Sequence, residues 1–242
     1  MTNSNDGSTR RADSVEESSP GTARGETTAS ARSVDATANW KEERLLAAVT
    51  AVPRRLFLPG GRECDVSHRV PAELEGDLTL APVDVTLMML RALDLTGNER
   101  VLQIGCGTGY QAALLARLAH EVISLEIDAT RAELARDALA RLGCANVRVF
   151  HADGSLGWPK LAPYQAIVVD AAATELPSAL LAQLDQGGRL VIALGEGEAQ
   201  VVERLEKQAD RLTCATVGLA RLQPLKTLQR RPSPYPWNHH GH

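Results

Sequence analysis

From residue 100 onward, short apolar runs alternate with longer stretches in which apolar residues recur every three or four positions. Short apolar runs are typical of buried strands, and the longer spacing is typical of amphipathic helices. Five strands are predicted, at 101–104, 122–125, 147–150, 166–169 and 189–194. Strands that alternate with helices in this way form a parallel sheet with helices on both faces. The pattern therefore predicts an α/β fold built on a mostly parallel, twisted sheet.

The same periodicity places helices between and around these strands. They are predicted around 45–49 and at 83–93, 110–118, 129–142, 177–184 and 198–208. Pro82 precedes the helix at 83–93, and proline is favoured in a first helical turn. Residues 59–77 mix Gly, Pro and charged residues and predict a loop, whereas residues 212–222 predict a closing hairpin.

The two ends of the chain lack this periodicity. Residues 1–38 are rich in Ser, Thr, Ala, Gly and Glu, and such a segment buries too little apolar surface to offset its loss of entropy on ordering. We predict a disordered tail at 1–38, one folded domain at 39–228 and a flexible tail at 229–242. Three histidines in the last four residues could hold a metal ion. With no second ligand cluster, a solvated tail is the favoured interpretation, and no metal site is predicted.

Composition and charge narrow the class of protein. Hydrophobic residues make up 44% of the chain, as in globular proteins, and the formal net charge is −4. A mildly acidic chain has no long-range attraction to nucleic acids or anionic membranes. The four cysteines are dispersed without a C-x-x-C pair, which excludes a zinc ribbon. With no apolar leader and no run of 18 apolar residues, we expect a cytoplasmic protein without membrane partners. We also expect a monomer that does not bind nucleic acid.

The most informative segment is the glycine-rich turn between the first strand of this pattern and the next helix. Gly105, Gly107 and Gly109 form G-x-G-x-G, with Cys106 inside the turn and Tyr110 after it. Glycines allow a tight turn and close approach of a ligand, and the helix N-terminus presents N–H groups. A dinucleotide fingerprint would have its third glycine at position 110. The tighter spacing favours S-adenosylmethionine, and a purely structural turn is the alternative.

Three carboxylates follow successive strands, where such a ligand would need them. Glu126, followed by Ile127, ends the second strand, where a carboxylate accepts hydrogen bonds from both ribose hydroxyls. Asp153 and Gly154 follow the third strand, where the adenine amino group would lie. Asp170 ends the fourth strand and faces the same crevice. Each alone would more often be a surface or turn carboxylate. Together with the glycine turn they predict an S-adenosylmethionine site.

These segments resemble the protein-L-isoaspartate O-methyltransferases. The run at 104–111, IGCGTGYQ, is similar to the family's I-G-[TC]-G-[ST]-G-Y-Q, in which the Tyr-Gln pair is more diagnostic than the glycines. Further similar segments lie at 52–57, 122–127, 146–154, 164–177, 184–191 and 221–225. The resemblance thus covers about 44–225. It implies a Rossmann-like class I S-adenosylmethionine-dependent methyltransferase domain that acts on isoaspartyl residues of damaged proteins.

The chain departs from this family at two positions. Gln103 stands where the family usually has Glu or Asp before the glycine turn, an acid that helps to orient the methionine end of the cofactor. Leu80 stands where the family's T-I-S-[AQ]-P segment has a serine in the substrate pocket. Thr79 is the nearby hydroxyl and is our candidate for that catalytic position. Losing one orienting hydrogen bond costs about 1–3 kcal/mol if a partner is left unsatisfied.

The resemblance also implies a set of substrate-facing residues. They are Pro82, Val83, Arg221, Pro224 and Leu225. A surface ion pair is an equal alternative for Arg221. An isoaspartyl carboxylate is ionised at pH 7, so the reaction needs no general base and depends on alignment. Two other functions stay open: carboxylate O-methylation of another peptide or small molecule, and a non-catalytic S-adenosylmethionine-binding protein.

Overall fold

The computed structural model describes the backbone of residues 28–58, 72–73, 79–209 and 211–228, and the side chains of 39–58, 80–209 and 211–228. The chain divides into two compact units, Met1–Ala36 and Thr37–His242. The first unit contributes only the start of one helix to the described residues. Thr37–His242 contains every strand given below and the candidate site.

Nine strands form two sheets within the described residues. They are β1 Ala72–Glu73, β2 Thr79–Leu80, β3 Arg100–Ile104, β4 Glu121–Glu126, β5 Val147–His151, β6 Tyr164–Ala173, β7 Leu184–Leu194, β8 Gln200–Gln208 and β9 Arg211–Ala220. β1 and β2 pair with each other, and the other seven follow the order β5-β4-β3-β6-β7-β8-β9. The first five strands of that order are parallel, and β8 and β9 add antiparallel strands at one edge. The predicted mostly parallel sheet is confirmed.

In the part of the chain that the structure describes, five α-helices accompany the strands: α1 Thr28–Ala51, α2 Val83–Leu93, α3 Tyr110–Leu118, α4 Ala129–Arg141 and α5 Ser178–Gln183. Successive β3 residues face opposite sides of the sheet, as strand geometry requires. Val101 joins the apolar cluster that contains residues of α1 to α4, and Leu102 joins the one that contains α5. The sheet is therefore covered on both faces. Among the described residues, no helix is both long and apolar enough to span a bilayer.

Two sequence predictions need correction. The helix predicted at 198–208 is wrong, because this segment is β8, paired with β7 and β9. Its Glu, Lys, Arg and Gln residues favour a helix locally, but pairing on both sides outweighs that preference. The predicted hairpin is instead formed by β8 and β9. In addition, α1 begins at Thr28, earlier than the boundary predicted at residue 38. Frequent alanines favour helix there even without apolar periodicity.

Other expectations fall partly outside the description. The loop predicted at 59–77 contains β1, and the rest of it lies outside the described residues. The expected disorder of residues 1–27 and the histidine-rich tail at 229–242 also lie outside them.

The parallel strands bring their carboxyl ends to one edge of the sheet. Ile104, the last residue of β3, pairs with Leu125 on β4 and with Val169 on β6. The glycine turn, Glu126 and Asp170 each follow directly on one of these three residues. The topology therefore gathers them at a single crevice, as expected for an open parallel sheet.

Candidate functional site

The glycine turn after β3 has a shape that side chains would obstruct. Gly105 and Gly109 have φ angles of +84° and +93°, a region that favours glycine. A Cβ at Gly105 would lie 3.1 Å from the carbonyl oxygen of Asp170, and one at Gly109 would lie 3.3 Å from the Cβ of Ala135. Gly109 then caps the N-terminus of α3. The turn therefore leaves bare backbone facing the crevice and packs closely behind it.

Glu126 is held in place by backbone donors. Its Oε2 accepts a hydrogen bond of 2.7 Å from the Gly107 N–H, and its Oε1 accepts one of 3.1 Å from the Asp128 N–H. The residue is buried, with 5% exposure. Each carboxylate oxygen retains a further lone pair. The geometry suits a carboxylate that is oriented in advance to accept two hydroxyl groups of a ligand.

The crevice collects most of the predicted ligand-facing residues. Its walls include Gly105, Gly107, Glu126, Ile127, Gly154, Asp170, Pro224 and Leu225. Cys106, Gly109 and Tyr110 belong to the turn behind these walls. Burial raises the pKa of the Cys106 thiol to about 12, so it stays neutral and is no nucleophile at physiological pH. Among the described residues, no group of His, Cys, Asp and Glu is placed to bind a metal ion.

Asp170 lies at an irregularity of β6. The pairing of β6 with β7 shifts register between Val169 and Ala172, and such a bulge re-aims the side chains within it. Asp170 lines the crevice and stays partly exposed, but its Oδ1 is shielded from solvent and has no hydrogen-bond partner among the described residues. Burial raises its pKa to about 7, the charge of Glu126 adds to the rise, and Arg54 opposes it.

The last described segment, residues 221–228, crosses the same edge of the sheet. The Ala172 N–H donates to the carbonyl of Gln223 at 2.8 Å, and the Leu225 N–H donates to the carbonyl of Ala172 at 2.7 Å. These bonds hold Pro224 and Leu225 beside the end of β6. Arg221, in contrast, is exposed and pairs with Glu198 at 2.9 Å, which is the surface ion pair considered as its alternative.

Asp153 is saturated by hydrogen bonds. Its Oδ1 accepts from the N–H and the hydroxyl of Ser155, and its Oδ2 accepts from the Thr227 hydroxyl at 2.8 Å and the Leu228 N–H at 2.7 Å. Burial alone would raise the pKa of Asp153, but these bonds lower it. The carboxylate predicted to meet an adenine amino group thus anchors the 221–228 segment. Gly154, beside it, lines the crevice, and a Cβ there would meet Ile104 at 2.3 Å.

Gln103 belongs to a buried neutral network. Its Oε1 accepts from the Ser124 hydroxyl at 2.8 Å, and its Nε2 donates to Oε1 of Gln111 at 3.0 Å. The side chain is fully buried. Gln103 therefore supplies no negative charge to the crevice.

The segment around the missing serine is apolar and tightly held. Leu80 is 8% exposed within the core, and Pro82 and Val83 are also buried at the start of α2. The backbone of Thr79 pairs with Glu73, and its side chain lies outside the described residues.

Sequence reasoning missed Arg54. Its Nη2 donates to the carbonyls of Leu80 at 3.2 Å and Ala81 at 2.7 Å. Its guanidinium lies 5.7 Å from the centre of the Tyr110 ring. The similarity of the 52–57 segment to the family motif was the signal that could have identified it.

The chain is similar to known proteins over most of its length. Residues 32–227 match the sequence profile of the family described as protein-L-isoaspartate(D-aspartate) O-methyltransferase. A protein-L-isoaspartate O-methyltransferase of Methanoculleus marisnigri is 40% identical over 76% of this chain and 84% of its own length. One from Anaeromyxobacter dehalogenans is 42% identical over 76% of this chain and 92% of its own length.

Solved structures agree at the level of the fold. A protein-L-isoaspartate O-methyltransferase structure has a TM-score of 0.67 at 24% identity and covers 78% of this chain, which in turn spans 65% of that protein. A Plasmodium falciparum structure, titled as a putative enzyme of the same name in complex with S-adenosyl-L-homocysteine, has a TM-score of 0.65 at 18% identity. It covers 79% of this chain, which spans 97% of it.

Proposed function

The chain belongs to the protein-L-isoaspartate(D-aspartate) O-methyltransferase family, and from this premise we propose that it methylates the free carboxylate of L-isoaspartyl residues in damaged proteins. The methyl donor is S-adenosylmethionine. The observation that carries the proposal is the Glu126 carboxylate, held by the Gly107 N–H at the ends of the parallel strands. The ribose hydroxyls of an adenosyl group need such an acceptor, and the neighbouring glycine backbone lets the ligand approach closely.

The residues present fit the cofactor. We assign the cofactor site to Gly105, Cys106, Gly107, Gly109, Tyr110, Glu126, Ile127, Asp153, Gly154 and Asp170. Within this site, Glu126 has free lone pairs for the ribose hydroxyls, and the backbone of Gly105 and Gly107 allows close approach. Asp153 acts by anchoring residues 227–228 over its side of the crevice rather than through a free carboxylate.

The proposed reaction needs alignment of the reacting groups rather than acid or base catalysis. The cofactor supplies an electrophilic methyl group, and the accepting carboxylate is ionised at neutral pH, so neither an acid nor a base is required. The protein contributes by holding the two reacting groups in line and excluding water, which can supply about 7–11 kcal/mol. Pro224 and Leu225 form the wall next to the end of β6 and are our substrate-facing residues of first choice.

The substrate side includes the segment held by Arg54. We propose that Thr79, Pro82 and Val83 belong to it, with Arg54 fixing its backbone through the carbonyls of Leu80 and Ala81. Arg221 is the least central substrate residue in this proposal, because its guanidinium is paired with Glu198.

The test is a radiolabelled methyl-transfer assay with paired peptides that differ only in one isoaspartyl or aspartyl linkage. We expect transfer to the isoaspartyl peptide and none to its twin. Binding of S-adenosylhomocysteine without transfer to either peptide would shift the assignment to another carboxylate acceptor. Absence of cofactor binding at millimolar concentration would overturn the proposal.

The charge of the chain bears on where and with which partners the protein works. We propose that the protein works as a monomer in the cytoplasm, with isoaspartyl peptides and proteins as partners. The net charge of −4 supports independence from nucleic acids and membranes. Light scattering coupled to size-exclusion chromatography tests the monomer.

A further inference from the structure

The two carboxylates that line the crevice differ in the hydrogen-bond donors that their oxygens receive. Glu126 receives backbone N–H groups on both of its oxygens. Asp170 has an oxygen that is shielded from water and has no hydrogen-bond donor among the described residues. An uncompensated buried carboxylate is costly, so its retention at a ligand crevice requires an explanation.

The position of Asp170 points to a particular part of the ligand. The strand order β4-β3-β6 places it two strands away from Glu126, about 10 Å at ordinary strand spacing. If Glu126 holds the ribose, the rest of an extended adenosyl ligand reaches β6 with its amino-acid end. That end carries an α-ammonium group, a donor with three N–H bonds and a positive charge.

We propose that the Asp170 carboxylate binds the α-ammonium group of the cofactor and is the acidic anchor for its amino-acid end. This inference rests on the proposed function for the identity of the ligand. On the neighbouring strand β3, Gln103 does not compete for this role, since it is neutral and both its polar groups are engaged with Ser124 and Gln111.

Charged groups of both signs surround Asp170. Glu126 on β4 raises the pKa of Asp170, the Arg54 guanidinium on the short helix Arg54–Phe57 lowers it, and the Cys106 thiol in the glycine turn is neutral. Arg131 and Lys226 also line the crevice. Burial and Glu126 hold the pKa of Asp170 at about 7 in the free protein, while Arg54 lowers it too little to restore the ordinary value. A bound ammonium group would stabilise the ionised form and release a proton near neutral pH.

Calorimetry with two ligands tests the assignment without any methyl transfer. S-adenosylhomocysteine carries the amino-acid end, whereas 5′-methylthioadenosine has the same nucleoside thioether without it. We expect Asp170→Asn to weaken S-adenosylhomocysteine about tenfold or more and to leave 5′-methylthioadenosine unchanged. As a matched control, Glu126→Gln should weaken both ligands, because both contain the ribose.

Unchanged binding of S-adenosylhomocysteine by Asp170→Asn would overturn the proposal, since a neutral amide would then serve equally well. Equal loss of both ligands would also overturn it, because the role of Asp170 would then be structural. If the wild-type protein binds neither ligand, the proposed function fails instead, so the two failures are distinguishable.

The pH dependence gives a second readout that needs only the wild-type protein. Because the ionised form binds, affinity for S-adenosylhomocysteine should rise between pH 5.5 and 7.5, approaching about tenfold per unit well below the pKa of Asp170. Affinity for 5′-methylthioadenosine should change little over this range. Parallel pH profiles for the two ligands would contradict the assignment even if the Asp170→Asn variant failed to fold.

Discussion

The carboxylates at the two ends of the crevice, Glu126 on β4 and Asp170 on β6, differ in their hydrogen bonding. At the β4 end, Glu126 is satisfied by the backbone of Gly107 and Asp128 before any ligand arrives. At the β6 end, Asp170 sits in a bulge with an unpartnered oxygen. The Glu126 carboxylate is thus oriented before a ligand binds, whereas the Asp170 carboxylate has an oxygen that still lacks a donor. The difference shows that the backbone of a turn can satisfy a ligand-binding carboxylate in the free protein. A carboxylate at a strand irregularity can instead lack a hydrogen-bond donor until the ligand supplies one.

The largest effect should come from Gly105→Ala, because Gly105 lies in the glycine turn and packs against the backbone of Asp170. The new Cβ would lie 3.1 Å from the Asp170 carbonyl at a φ of +84°, so strain and overpacking should together cost about 4 kcal/mol. Denaturant unfolding measures the cost, and calorimetry should show loss of S-adenosylhomocysteine binding. The matched control is Gly143→Ala, with φ +66° and no atom within 4 Å of the new Cβ. Equal costs for the two variants would contradict the argument.

Leu80→Ser tests the proposed substrate side of the site. Restoring the family serine removes a core side chain that is 8% exposed, which should destabilise the protein by about 3 kcal/mol. We expect no gain in methyl transfer, because the position packs into the core. Thermal unfolding and the paired-peptide assay measure the two effects, with Leu80→Met as the volume-conserving control. A faster enzyme with unchanged stability would show that position 80 faces the substrate.

Asp170→Asn tests the cost of the uncompensated Asp170 carboxylate through the free energy of unfolding. Below the unfolded-state pKa of about 4 both states are protonated, so Asp170 contributes no pH dependence. Between about 4 and 7 the unfolded state ionises first, so wild-type stability falls as pH rises; above about 7 the penalty is constant. Three pKa units correspond to about 4 kcal/mol, and the partial exposure of the side chain reduces this penalty. The asparagine variant, without ligand, should therefore gain about 2 kcal/mol over wild type at pH 8 and little at pH 4. A gain that is independent of pH would refute this account.

Arg221→Ala should have the smallest effect. The ion pair with Glu198 is exposed on both sides, and such pairs contribute little, so stability should change by less than about 0.5 kcal/mol. Cofactor affinity should be unaffected, because Arg221 lies outside the crevice walls that the structure describes. Calorimetry and kinetics with the isoaspartyl peptide measure this. A large rise in the Michaelis constant for the peptide alone would instead restore Arg221 to the substrate site.

Prediction from sequence succeeded where the signal is local. The G-x-G-x-G turn predicts its own geometry, because glycine alone tolerates the positive φ angles and close contacts at Gly105 and Gly109. Apolar runs identified all five parallel strands, and strand order along the chain was enough to place Glu126 and Asp170 at one edge. The segment at 198–208 failed because its local helix preference conflicts with pairing to β7 and β9.

The amino-acid sequence by itself determined the alternating α/β pattern, the glycine turn and the identity of the acids that follow the strands. The tertiary structure alone decided which of those acids is fully satisfied, since the partners of the Asp153 Oδ2 are 74 and 75 residues away and Arg54 reaches the carbonyls of Leu80 and Ala81. The physical reason is that backbone conformation depends on neighbouring residues, whereas hydrogen bonding and desolvation of a carboxylate depend on whatever the folded chain brings within about 3 Å of it.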